Sequence, residues 1–146
     1  MIAVGDVFGP SEWRQVTQDD IDTFAGIAGD RQWIHVDVER CARESPFGTT
    51  IAHGTMTLAL IDGWRDELVA VTDGAVLGVN LGYEKVRFPA PVPSGGEVRA
   101  TMEIVEITPR EDGWSQVVQR FTVELRGGER PVCVADSVIR VLLEQV

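Results

Sequence analysis

Apolar and polar residues alternate along three stretches in the second half of the chain. Each stretch follows a turn-forming run, namely Ser94-Gly95-Gly96, Asp112-Gly113 or Gly127-Gly128. The apolar positions are Val98, Ala100, Met102 and Ile104, then Phe121, Val123 and Leu125, then Cys133, Ala135, Ile139, Val141 and Leu143. A period of two residues is typical of β-strands, and short turns between them favour an antiparallel meander. An apolar-rich run over residues 75–88 predicts a further strand ahead of these three.

The first half of the chain carries helical patterns instead. Thr17 is a suitable N-cap, because Asp19 and Asp20 would then lie at the positive end of the helix dipole. Gly29 is a suitable C-cap for the same helix, which places Asp30 just beyond its end. A second, shorter helix is predicted over residues 37–43.

The longest helical pattern begins at Gly54 and reads GTMTLALIDGWRDELVA. Its apolar residues Met56, Leu60, Trp64 and Leu68 recur every four positions, and Ala59 and Ile61 widen the apolar surface. A helix that is apolar on most sides must be covered by other structure. Helices first and strands later, with one buried helix to cover, predict an α+β fold in which an antiparallel sheet curls around that helix.

Length and composition limit the classes of protein that this chain can belong to. Its 146 residues fit one domain, spanning 1–146, with no repeat or linker. A net charge of −10 argues against nucleic-acid partners and anionic membrane surfaces. Two cysteines are too few for a disulfide scaffold, and neither a signal-peptide pattern nor a membrane-length apolar run is present. We therefore expect a cytoplasmic protein.

The stretch from Ala28 to Gly54 concentrates the residues that suit acid/base chemistry. It contains both histidines of the chain, His35 and His53, and Asp30 precedes the first of them by five residues. Gly54 opens the long helix, and without a side chain it would let a ligand carbonyl approach the free N–H groups there. Such parts can together act on a carbonyl compound.

Three motifs in this chain resemble those of one known family. They are the run FAGIAGDRQWIH over 24–35, the run PFGTTIAHG over 46–54 and the run YEKVRFPAPV over 83–92. In this order they are similar to the hydratase motif, the His-Gly loop and the F-x-x-P-V-type strand ending of the MaoC-like proteins, the R-specific enoyl-CoA hydratases. The resemblance implies a hot-dog fold, which periodicity alone does not name, and a homodimer in which two sheets become continuous.

The resemblance also implies a reaction and its residues. The reaction is the reversible hydration of a trans-2-enoyl thioester to the (R)-3-hydroxyacyl thioester. In both compounds the acyl group is attached to coenzyme A or to acyl carrier protein. Asp30 and His35 would be the catalytic pair, and Gly54 would stabilise the oxyanion. Gln32 and His53 would bind substrate or position these groups. We expect no metal and no redox cofactor.

The chain departs from the family pattern at a few positions. Gln32 and Trp33 stand where the family has Asn and Pro, so an amide remains but proline's fixed φ is lost. Asp62 stands where some relatives have Ser. Because Asp30 and His35 are present, we expect the pocket's shape to differ more than its chemistry.

Other interpretations of these residues remain open at this point. A hot-dog thioesterase would also present a carboxylate near a helix start but would release free thiol. The chain could also be a non-catalytic acyl-thioester-binding or regulatory module in which the Gln32-Trp33 change has spoiled the pocket. Asp30, His35 and His53 could hold a metal, although their spacing matches no compact zinc signature. Lys85 and Arg87 would face solvent or meet carrier phosphates at the mouth of a pocket.

Overall fold

The computed structural model describes residues 2–68 and 75–143. The helices are α1 (Gln18–Ala28), α2 (Trp33–Val36), α3 (Val38–Glu44), α4 (Gly54–Ala59) and α5 (Ile61–Leu68). The strands are β1 (Val7–Phe8), β2 (Arg14–Gln15), β3 (Ala75–Arg87), β4 (Glu97–Pro109), β5 (Trp114–Leu125) and β6 (Cys133–Leu143). No helix in the described ranges is long and apolar enough to cross a membrane.

One antiparallel sheet contains all of these strands. Its order is β1-β4-β5-β6-β3, and β2 also pairs with β4. The predicted meander is confirmed for β4, β5 and β6, but β3 pairs with β6 rather than with β4, its neighbour in sequence. The chain between β3 and β4 contains Pro89, Pro91 and Pro93, which lack the N–H of a strand ladder. That segment instead hydrogen-bonds to residues 50–52, through Ala52 N to Val92 O and Ser94 N to Thr50 O.

The sheet packs around α4 and α5, as the α+β interpretation predicted. Met56, Ile61 and Trp64 from these helices share one core with inward-facing strand residues such as Met102 and Phe121. Phe121 and Ile61 are fully buried.

The structure corrects the prediction of a single long helix from Gly54. The helix is interrupted at Leu60, whose N–H is shared between Met56 O and Leu58 O in a tightened turn. Leu60 keeps right-handed helical angles, and Trp64 N still donates to Leu60 O at 3.2 Å. Val69 and Ala70, the last residues of the predicted helix, lie outside the described residues.

Helix α1 begins and ends where its capping residues predict. The Thr17 hydroxyl accepts a hydrogen bond from Asp20 N, and the Asp20 carboxylate accepts one from the Thr17 backbone N–H, which makes a reciprocal capping box. Gly29 has a left-handed φ of 76°, and its N–H donates to Ala25 O. Asp30 is therefore delivered to a defined position just past the helix.

Candidate active site

Three titratable side chains from separate elements meet beside the start of α4. Asp30 lies in the loop between α1 and α2, His35 lies on α2, and His53 is the N-cap residue of α4. The Asp30 Oδ2 to His35 Nε2 distance is 4.0 Å. The two imidazole rings stack with centroids 3.8 Å apart and an interplanar angle of 22°.

Hydrogen bonds hold residues 51–53 against residues 30–35. Ile51 N donates to Ile34 O at 3.1 Å, and the His35 Nδ1 to Ile51 O distance is 2.7 Å. His53 Nε2 lies 2.9 Å from the backbone oxygen of Asp30. Two segments that lie about twenty residues apart in sequence are thus fixed to one another at the site.

These contacts define which ring nitrogen carries the proton in each neutral histidine. A carbonyl oxygen only accepts hydrogen bonds, so Nδ1 of His35 and Nε2 of His53 must be the donors. Nε2 of neutral His35 is then a free acceptor directed toward the Asp30 carboxylate, which is also an acceptor. A water molecule between these two atoms would donate one hydrogen to each.

The two members of this pair differ in their exposure to solvent. The His35 side chain is 9% exposed, whereas the Asp30 side chain is 55% exposed. The His35 imidazole is therefore held by the side chains packed around it, whereas the position of the Asp30 carboxylate is set mainly by the backbone of its loop. Asp30 Oδ1 also accepts from Gln32 N at 3.3 Å, a turn-type contact within the loop.

Gly54 offers an unused donor next to the two histidines. In the part of the chain that the structure describes, the N–H groups of Gly54 and Thr55 donate no hydrogen bond. Free N–H groups at a helix start attract negative charge. Gly54 is therefore placed to receive an anionic oxygen.

The ring of Phe88 packs directly against Gly54. A Cβ on Gly54 would lie 2.8 Å from Phe88 Cδ2 and 2.9 Å from Cγ. Helix propensity alone would favour alanine over glycine at this position. The structure opposes that substitution, because the alanine methyl would have to displace Phe88. Packing thus requires a glycine at position 54, whatever the substrate requires.

An apolar cavity of about 270 Å³ reaches Gly54 from one side. Thr57 is the one polar residue in its lining, which otherwise comprises Phe47, Ile51, Ala52, Gly54, Phe88, Pro89, Ala90, Pro91, Val92 and Val132. Phe47 and Phe88 are also half-exposed, so they form its rim. Asp30 and His35 do not line this cavity, and Gly54 is where it meets the candidate site.

The remaining sequence candidates lie farther from this chemistry. Gln32 is exposed and its side chain makes no hydrogen bond within the described ranges, whereas Trp33 is half-buried and stacks under Arg40 at 4.1 Å. Lys85 and Arg87 are exposed, as expected of solvent-facing charges. Asp62 is bound to Arg65 Nη1 at 2.7 Å.

The donor set fits a metal ion poorly. Ligand atoms of Asp30, His35 and His53 lie within 4.8 Å of one another. Stacked rings, however, direct their lone pairs along parallel planes, so both cannot converge on one ion at about 2.0–2.1 Å. His53 Nε2 also carries the proton that it donates to Asp30 O, so the buried Nδ1 is the one nitrogen of that ring with a free lone pair.

Two supporting residues were missed by sequence reasoning. Gln18 Nε2 donates to the backbone oxygen of His35 at 2.8 Å, and Gln18 Oε1 accepts from the buried Thr50 hydroxyl. This bridge joins α1, α2 and the loop before α4. No spacing in the sequence marks it, because the partners lie 17 and 32 residues from Gln18.

An antiparallel sheet around a helix is the architecture of the hot-dog fold, and in this chain a carboxylate and an imidazole meet beside the start of that helix. Residues 2–125 match the MaoC like domain, and the chain belongs to this family. It is 48% identical to 3-hydroxyacyl-thioester dehydratase Z of Mycobacterium tuberculosis, over 94% of this chain and 90% of that protein. It is 30% identical to the (R)-specific enoyl-CoA hydratase of Rhodospirillum rubrum, over 67% of this chain and 64% of that protein. The crystal structure of a MaoC-like dehydratase from Rhodospirillum rubrum is similar at a TM-score of 0.75, with 29% identity over 99% of this chain and 96% of that one.

Proposed function

We propose that this protein is an R-specific hydro-lyase that interconverts a trans-2-enoyl thioester and the (R)-3-hydroxyacyl thioester. The observation that carries the proposal is the pair of acceptors Asp30 Oδ2 and His35 Nε2, 4.0 Å apart. Two acceptors at this spacing suit a single bridging water. The relatives that share the family are named for the same chemistry.

In the hydration direction the bridging water is the nucleophile. Its hydrogens point to Asp30 and His35, so an oxygen lone pair remains to attack C3 of the enoyl group. As the O–C3 bond forms, the pair accepts one proton from the water and electron density moves onto the thioester oxygen. The proton that the pair accepted is then transferred to C2 as the double bond is restored at the carbonyl, which returns Asp30 and His35 to their starting protonation states. The elements of water are added in full, and no oxidant or reductant is consumed.

Gly54 is assigned to the thioester oxygen in this proposal. Its free N–H would stabilise the enolate charge that develops there, a contact for which deletion of one donor costs about 3 kcal/mol in other enzymes. The carbon chain of the substrate then connects Gly54 to the Asp30–His35 pair. No metal or redox cofactor takes part, and the carrier, coenzyme A or acyl carrier protein, belongs to the substrate.

The proposal is tested by two assays on one preparation. Loss of the enoyl-thioester absorbance is followed for a panel of acyl chain lengths, and free thiol is measured in parallel. Loss of the double bond without thiol release, with (R)-3-hydroxyacyl product by chiral analysis, is the expected result. Thiol release would identify a thioesterase, and binding without either change would identify a non-catalytic module; both outcomes would contradict the proposal.

The proposed assembly is a homodimer in the cytoplasm. Strand β3 is the end strand of the sheet order, and Leu77, Val79 and Leu81 on it are exposed. An unpaired strand edge with exposed apolar side chains favours pairing with another chain. The cytoplasmic location is proposed because two cysteines are too few for the disulfide framework of a small secreted protein.

A further inference from the structure

His53 touches both members of the proposed catalytic pair. Its Nε2 lies 2.9 Å from the backbone oxygen of Asp30, and its ring stacks on His35 at 3.8 Å. Phe24 packs against the same ring at 5.0 Å. The residue is only 3% exposed, so it contacts the pair from inside the protein rather than from the solvent side.

Burial of His53 leaves one of its ring nitrogens without a hydrogen bond, which lowers the stability of the folded protein. We infer that the hydrogen bond made by the other nitrogen compensates for this by a role in the site. Nδ1 of His53 is buried and has no hydrogen-bond partner in the described part of the chain. An unpaired buried polar atom destabilises the folded state, because it has lost its hydrogen bonds to water. A side chain needed only to fill this space would be apolar, since phenylalanine would fill it without an orphaned nitrogen. The useful atom of His53 is therefore Nε2.

The partner of that atom is the part of the site that most needs support. Asp30 is exposed, and apart from the Gln32 contact within its own loop, His53 is the residue that holds its backbone. His35 is fixed independently, through Ile51 and through the Gln18 contact to its backbone oxygen. His53 thus links the backbone of Asp30 directly to the loop that holds His35.

We propose that His53 is a positioning residue, whose Nε2–H holds the Asp30 backbone so that the carboxylate and His35 stay at the spacing that one water bridges. The inference rests on the proposed hydration reaction. Its role is exerted on Asp30, and His53 itself does not touch the reacting atoms. Loss of the bond should therefore lower kcat and leave KM nearly unchanged.

Two substitutions separate the hydrogen bond from the packing. His53→Phe keeps an aromatic ring on His35 but removes the donor, whereas His53→Gln keeps an N–H near the Nε2 position and removes the ring. We expect kcat of His53→Phe to fall about 10–100-fold, because small misplacements of catalytic groups have effects of this size. We expect His53→Gln to retain a clearly higher kcat than His53→Phe, although its side chain is a poorer fit.

A matched control separates positioning from a general loss of stability. Ile61→Val removes one methyl group from a fully buried residue of α5. Ile61 takes no part in the hydrogen bonds described for the site. Its kcat should stay near that of the wild type. Equal kcat values for His53→Phe and His53→Gln, a loss confined to KM, or an equal loss in Ile61→Val would each overturn the proposal.

A measurement on the unmodified protein keeps the proposal testable if His53→Phe does not fold. The chain has two histidines, so long-range ¹H–¹⁵N spectra contain two imidazole systems, and His35→Asn assigns them. We expect His53 to carry its proton on Nε2, and the Nδ1–H tautomer would overturn the inference. The tautomer measurement tests the role of His53 without any measurement of turnover. Absence of hydration by the wild-type protein would instead contradict the proposed function.

Discussion

At the scale of single residues, the site combines one rigid group with one exposed group. His35 is locked through Nδ1, which leaves Nε2 as its reactive atom, while Asp30 presents a carboxylate to solvent. A buried imidazole and an accessible carboxylate can both accept from the same water. This arrangement makes the contribution of each side chain separable by conservative substitution.

Asp30→Asn and His35→Asn should each lower turnover by at least ~10²-fold, as expected when an acid/base group is removed. Asparagine at 30 keeps the side-chain size, and asparagine at 35 keeps a donor near the Nδ1 position for Ile51 O. Circular dichroism and hydration rates on the same samples check the result. Asp66→Asn, a change of an exposed acid on α5, is the control. Near-wild-type rates in both folded variants would mean that the pair is not the catalytic pair.

Gly54 has two roles that a double substitution separates. Gly54→Ala should lower both the melting temperature and turnover, because its Cβ meets the Phe88 ring at 2.8 Å. Phe88→Ala removes that ring, so in Gly54→Ala/Phe88→Ala the alanine methyl has space. We expect the double variant to be no less stable than Phe88→Ala alone while its turnover stays far lower. Equal turnover in these two variants would leave packing as the single reason for the glycine.

At the scale of elements, α1 is the support that carries Asp30 to the site. Its start is fixed by the Thr17–Asp20 capping box and its end by the left-handed Gly29. The Thr17 backbone N–H, which donates to the Asp20 carboxylate, lowers the pKa of Asp20, and Arg14 nearby lowers it further. The capping of this helix therefore depends on pH.

The lowered pKa of Asp20 predicts a stability difference that acid removes. The folded state favours the ionised carboxylate, so its stabilisation is present above the ordinary value of 3.8 and is lost as pH falls through the lower folded pKa. At pH 7, Asp20→Asn should melt about 1–4 °C below the wild type, and the gap should close toward pH ~3. Asp19→Asn in the same helical turn lacks the capping contact and should show a smaller gap. A gap of constant size across this range would contradict the capping assignment.

At the scale of the whole molecule, the two edges of the sheet differ. One edge is occupied by the short strands β1 and β2, while the other is the 13-residue strand β3. Leu77, Val79 and Leu81 on β3 are exposed. A long edge strand with apolar side chains is the surface at which we expect a second copy to pair.

Light scattering should give twice the 16.0 kDa mass of the chain at micromolar concentration. Val79→Lys places a charge on the β3 edge and should shift the mass toward the monomer, because a buried unpaired charge at an interface is strongly unfavourable. Val7→Lys on β1, an exposed valine at the opposite edge, is the matched control and should remain dimeric. A monomeric wild type, or a Val79→Lys variant that stays dimeric, would contradict this interface.

The sequence by itself determined the features that arise from local interactions. Thr17 and Gly29 mark the ends of α1 because capping acts within one helical turn, and alternation marks β4, β5 and β6 because one face of each strand is buried. The motif that contains Asp30 and His35 identified the family, and the C-cap at Gly29 placed Asp30 just past the end of α1. These predictions required no knowledge of how distant segments meet.

The tertiary structure decided the contacts between distant segments. The pairing of β3 with β6, the Phe88 ring on Gly54 and the His53 bond to the Asp30 backbone join residues that lie 23 or more positions apart. Periodicity and capping carry no information about such pairs, because their free energy depends on how all elements pack together. The sequence named the candidate catalytic side chains, and packing set their distances and directions, since the two groups of the pair are held by residues from different parts of the chain.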